Sequence, residues 1–109
     1  MTHQEITDGN RLISQFMGST IKIHQEDVKD IPLAFLTLED MKFHLSWKWL
    51  MPVVIRIEED EGHTITITGR SCSVQLKDED TAFEHEADTK MHAVWWAVVK
   101  YLDWRKENS

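Results

Sequence analysis

His63-Thr64-Ile65-Thr66-Ile67-Thr68-Gly69-Arg70-Ser71-Cys72-Ser73-Val74-Gln75-Leu76 is the stretch that decides the fold. Polar and apolar residues alternate strictly on both sides of Gly69-Arg70, and every position from Thr64 to Thr68 is β-branched. Period-two alternation with branched side chains reads as a half-buried strand. A two-residue loop with Gly at its first central position suits a type II′ turn, so the two runs are expected to form an antiparallel hairpin. In that register Ile65, Ile67, Cys72, Val74 and Leu76 share the buried face, and the threonines and serines face water.

The segments flanking the hairpin carry a different period. Downstream, Ala82-Phe83-Glu84-His85-Glu86 fits a third strand, and Asp88 or Thr89 stands where a helix N-cap belongs. In the helix that follows, Met91, Val94, Trp95, Val98 and Leu102 form one stripe. Trp96, Val99 and Tyr101 widen it beyond a single face, so this helix is expected to be covered on two sides. Upstream, Ser46 is the expected N-cap of a helix whose stripe is Trp47, Leu50, Met51, Val54 and Ile57. Pro52 should bend that helix. The acidic run Glu58-Glu59-Asp60-Glu61, which opposes the helix dipole, and Gly62 should end it with fraying near Asp60.

Residues 3–17 place Ile6, Leu12, Ile13, Phe16 and Met17 on one side of a first helix, with Gly18 as the C-terminal cap. Gly9 weakens its middle by about 1 kcal/mol relative to Ala. Thr20-Ile21-Lys22-Ile23-His24 alternates over a short strand length. The stretch 25–45 reads as a long connection with a helical turn at Leu38–His44. The order of elements favours an α+β fold: a small sandwich in which a hairpin plus one or two short strands packs against about three helices.

Composition narrows the function classes. A chain of 109 residues is expected to form a single domain, 1–109, and to bury roughly two-thirds of its unfolded surface without a staple. The single Cys72 excludes an intramolecular disulfide and a multi-cysteine zinc site, and suits a reducing, cytoplasmic setting. The start lacks a basic region followed by an apolar run, so no secretory leader is expected. No apolar run approaches the roughly 20 residues of a membrane span. The net charge of −7 argues against direct binding of a nucleic-acid backbone. The two acidic runs, at 58–61 and at Asp78-Glu79-Asp80, read as solvated turns.

Chemical motifs are sparse. The glycines are scattered singly, and no nucleophile elbow, paired-cysteine, zincin or EF-hand pattern occurs. His85, Glu86, Asp88 and His92 lack zinc-ligand spacing. Cys72 with a histidine is the minimal nucleophile–base pair, and His63 faces it if the register allows. Its place in the inward set with Val74 and Leu76 favours a core thiol. No catalytic residue, metal or cofactor is therefore expected, and the alternative is a small enzyme or metal-binding protein built on the Cys72, His85 and His92 region.

All five tryptophans lie in two segments and at Trp104. Trp47 and Trp95 are expected to fill the helix–sheet interface. Trp96, Tyr101 and Trp104, rimmed by Lys100, Arg105 and Lys106, are the candidate partner-binding residues, for a protein partner or a homodimer. The competing expectation is that the first helix folds back and covers them through Ile13, Phe16 and Met17.

Asn10-Arg11-Leu12-Ile13 with Phe16-Met17-Gly18, Trp47-Lys48-Trp49-Leu50-Met51-Pro52-Val53-Val54 with Ile57-Glu58, and Ala93-Val94 with Ala97-Val98-Val99 together resemble small proteins of bacteria and their phages. The chain is similar to the phage ABA-sandwich domain group or a Bacteroidetes relative of it. The resemblance implies an α/β sandwich and a mobile-element origin, and it implies no catalytic residue.

Overall fold

The computed structural model describes residues 1–18 and 41–108. The short strand expected at 20–24 and most of the connection at 25–45 lie outside these residues. The described part is an α+β fold of three helices and one three-stranded antiparallel sheet: α1 (His3–Met17), α2 (Trp47–Glu59), β1 (Thr64–Thr68), β2 (Ser71–Gln75), β3 (Ala82–Glu86) and α3 (Lys90–Glu107).

The hairpin has the expected register. Thr68 pairs with Ser71, Ile67 with Cys72 and Ile65 with Val74. Gly69 supplies the positive φ of 58° that the first turn position requires, and Arg70 keeps a negative φ. β3 extends the meander, with Phe83 opposite Val74 and His85 opposite Cys72. One face thus gathers Ile65, Ile67, Cys72, Val74, Phe83 and His85. α3 packs on this face across β2 and β3, and α2 lies against β1. Cys72, Val74 and Leu76 are buried, and the opposite face is polar and mostly exposed.

Helix ends follow local chemistry. At α1 the Glu5 N–H donates to Thr2 Oγ1 (3.1 Å) while Glu5 Oε1 accepts from the Thr2 N–H (2.8 Å), a reciprocal capping box. The Thr2 N–H, and after it the Thr2 hydroxyl, hold the Glu5 carboxyl below its ordinary pKa. Gly18 closes α1 at φ 55°, its N–H donating to the Ser14 carbonyl. At α3 it is Thr89 that caps, accepting from the His92 N–H (3.1 Å). Ser46 is the N-cap residue of α2, but its side chain makes no capping bond. Ahead of it, Phe43–Leu45 form a turn, with the Leu45 and Ser46 N–H groups both donating to the Lys42 carbonyl. α2 runs on through Pro52 to Glu59.

The buried side of α2 is rotated from the expected stripe. Leu50, Val54 and Ile57 are inside as expected, but Trp49 and Val53 join them, and Trp47 points outward at 36% exposure. Trp49 meets Phe43 edge-to-face at 5.3 Å, and that contact fixes the phase. Trp47 therefore does not fill the helix–sheet interface.

α3 is covered on two sides, as its width suggests. Ala93, Val94, Trp95, Ala97, Val98, Tyr101 and Leu102 are all buried between the sheet and α1. Gly9 is where α1 comes closest: a Cβ there would stand 2.2 Å from Cζ2 of Trp95. Glycine in the middle of this helix is thus a packing requirement. At the far end of α1, the Phe16 ring lies between the guanidinium groups of Arg56 (5.1 Å) and Arg105 (5.0 Å), which joins all three helices.

Candidate functional site

The aromatic cluster of α3 is largely structural. Tyr101 is 1% exposed, set edge-on to Phe83 at 6.1 Å and to His63 at 5.1 Å. Burial and the Glu61 carboxylate push its hydroxyl up to about 12, against the pull of Arg105. Trp104 is half-buried on Phe83 and Tyr101. Trp96 is half-buried too, stacked on His85 at 5.5 Å and edge-on to Trp95 at 4.9 Å. Trp96 and Trp104 sit beside different residues of β3, and Tyr101 between them turns inward. The three do not form one outward stripe.

α1 packs on the neighbouring side of α3, through Phe16 as the sequence suggested and also through Gly9 and Asn10, which it did not. Gly9 and Asn10 meet Trp95, while Phe16 reaches Arg105. A groove of about 350 Å³ remains between the helices, lined by Gly9, Leu12, Trp96 and Val99 together with charged residues of both signs, among them Asp8, Asp103 and Lys100.

Beneath α1 lies a buried polar cluster. The Trp95 indole N–H donates to Asn10 Oδ1 (3.2 Å). An indole nitrogen can only donate, so the Asn10 amide nitrogen must be the atom facing the other way. It donates to the Met41 carbonyl (3.2 Å) and lies 3.4 Å from His44 Nδ1. A hydrogen bond across that contact needs His44 Nδ1 to accept. Asn10 and His44 are both buried.

The residues of the alternative, catalytic reading are placed as follows. Cys72 is 2% exposed, and burial pushes its thiol up to about 11, away from a nucleophilic thiolate. His63 does not face it; its Nδ1 accepts from the Lys77 N–H (3.2 Å) beyond the end of the ladder. His85 is the cross-strand neighbour of Cys72, but its ring is stacked on Trp96. Desolvation, then the Lys100 charge, lowers its pKa. His92 lies in the first turn of α3, where its backbone N–H serves the Thr89 cap. Among the described residues no three His, Cys, Asp or Glu side chains are grouped so as to hold a metal ion.

Of the acidic runs, Glu58, Glu59, Asp60 and residues 78–80 are exposed, as expected, but Glu58 and Glu59 belong to the last turn of α2 and not to a loop. Glu61 is not free: it pairs with Arg105 and ties the end of α2 to α3.

The outward side of α2 is the feature that sequence reasoning missed. Leu45 (61%), Trp47 (36%) and Ile55 (45%) are exposed, and Met51 is half-exposed between them. Trp47, Met51 and Ile55 stand at i, i+4 and i+8, one row along a helix. Beside the row, Met17, Pro52, Ile55 and Arg56 border a shallow cavity of about 320 Å³. The same spacing is legible in the sequence, but it is masked by apolar residues on nearly every side of this helix.

No protein-family model, curated protein or solved structure matches the chain. No helix among the described residues is long and apolar enough to cross a membrane.

Proposed function

We propose that this chain is a non-catalytic accessory protein of phage or mobile-element origin that works by contact with another protein. The observation that carries the contact reading is the exposed apolar row of α2, Trp47, Met51 and Ile55, with Leu45 exposed in the turn just ahead of it. Isolated apolar residues on a surface need no explanation, but a contiguous row on one helix is the form in which helices present anchors to an apolar groove. A partner with such a groove is the kind that fits. The groups an enzyme would need are engaged in packing: Cys72 is buried, and His85 is stacked on Trp96. The mobile-element origin rests on the sequence resemblance alone.

A photo-reactive residue in place of Leu45 tests the contact reading in cells that make the protein naturally. The expected result is one cross-linked protein species, lost when Trp47→Ser and Ile55→Ser are added. The reading fails if position 45 yields nothing beyond a control with the probe at Ser71, on the polar sheet face.

A further inference from the structure

The two-residue loop of the hairpin fixes where every backbone group of β1 points. With Gly69-Arg70 as the whole loop, Thr68 and Ser71 form a hydrogen-bonded pair. So, by alternation, do Thr66 with Ser73 and Thr64 with Gln75. The N–H and C=O groups of Ile65 and Ile67 therefore point away from β2, along the outer edge of the sheet. The same alternation turns the Glu84 carbonyl to the opposite edge. Lys100 Nζ donates to that carbonyl at 2.8 Å, an independent check on the phase.

The two edges are guarded unequally. β3 carries Glu84 and Glu86, and Lys100 occupies one of its outward carbonyls. Charges of this kind are how sheets discourage further strands. β1 has no charge, no proline and no bulge, and among the described residues no strand pairs with it on its outer side.

We propose that this edge pairs with β1 of a second copy of the chain, antiparallel, about a two-fold axis at Thr66. Thr64-Ile65-Thr66-Ile67-Thr68 reads the same in both directions. About Thr66, Ile65 falls opposite Ile67 of the second copy, and Ile67 opposite its Ile65. These are the residues whose backbone groups point outward, so each pair exchanges both of its N–H···O bonds. On one face isoleucine meets isoleucine, and on the other Thr66 meets Thr66. No like charges are opposed at these five positions despite the net charge of −7. A contact of one patch with itself about a two-fold axis closes, giving a dimer with a continuous six-stranded sheet rather than a fibre. This surface is separate from the α2 row and stands whether or not that row binds a partner.

Light scattering and sedimentation of the full chain, from micromolar to millimolar concentration, test the pairing. Thr66 is exposed, so Thr66→Lys and Thr66→Glu leave the fold intact while setting like charges face to face. The wild type should show a concentration-dependent dimer. Each variant alone should weaken it by roughly fivefold or more, and an equimolar mixture of the two should recover it as a one-to-one heterodimer. Amide exchange supplies a readout that needs no substitution: the Ile65 and Ile67 amides should slow as concentration rises. A wild type that stays monomeric throughout overturns the proposal. So does a dimer equally strong in both variants; if that dimer is lost with Trp47→Ser, the copies meet through α2 and the protein-contact reading survives.

Discussion

The indole N–H of Trp95 donates to the side-chain carbonyl of Asn10 across 85 residues of chain, and both groups are fully buried. This bond joins α1 to α3 and, through the Asn10 amide nitrogen, to the Met41 carbonyl and His44. Asn10→Ala should cost about 1–3 kcal/mol, because the Trp95 N–H would be left buried without its acceptor. Asn10→Asp keeps that acceptor but sets an oxygen against the Met41 carbonyl and buries a carboxylate, and should cost at least as much as Asn10→Ala. Denaturant melts of the three proteins give the ranking; an Asn10→Ala variant as stable as wild type would show that the cluster contributes little.

One residue earlier, two effects oppose each other. Helix propensity alone says that Gly9→Ala stabilises by about 1 kcal/mol. The added methyl, however, would overlap the Trp95 ring, and overpacking of this kind costs typically about 1–3 kcal/mol. Net destabilisation is expected, with partial relief when Trp95 is also reduced to Phe. A more stable Gly9→Ala would mean that α1 can lift off α3 at little cost.

The phase of α2 separates two tryptophans two residues apart. Trp49→Ala should cost about 3–5 kcal/mol, as for a buried aromatic. Trp47→Ser should cost clearly less, since Trp47 keeps 36% of its surface exposed where Trp49 keeps 2%. Thermal melts that reverse this order would restore the stripe expected from sequence.

Proton linkage gives a prediction at each end of the pH range. The folded state lowers the pKa of His85 below 6.5, so the unfolded chain binds the proton more readily. Stability should fall as pH drops below about 6.5, and less steeply in His85→Gln. The folded state raises Cys72 from 9.0 to about 11, so its contribution is complete below pH 9 and is lost as pH rises from there. At neutral pH the thiol should react with a disulfide reagent only as fast as the protein opens, and rapidly in denaturant.

How much of this was legible beforehand depends on how many solutions each segment allowed. The hairpin admitted one: shifting 63–76 by a residue would put isoleucines in water and threonines in the core. α1 was similarly constrained, with Gly18 at one end and a single apolar side. α2 was not. Trp47, Leu50, Met51, Val54 and Ile57 make a plausible stripe, but so do Trp49, Leu50, Val53, Val54 and Ile57. The two share three members, and tertiary packing chooses between them: Trp49 on Phe43, and the helix against β1 and α3. The same ambiguity hid the exposed row. On α3 the aromatic excess correctly signalled a second cover, but not that Tyr101 would turn toward the sheet. The role of Gly9 could not be read locally, because its reason lies in a ring 86 residues away.

That separation has a consequence for how the protein is made. A chain leaves the ribosome N-terminal end first, so α1 emerges before the hairpin, β3 and the helix it docks on. Through that interval Ile13, Phe16 and Met17 have no Trp95, Leu102 or Arg105 to settle against. The hairpin, β3 and α3 are contiguous in sequence and can assemble as they appear, whereas α1 must wait for a helix that follows it by more than 70 residues. Among the described elements, nascent α1 is thus the one that waits longest for its partner, and its docking depends on α3 having formed.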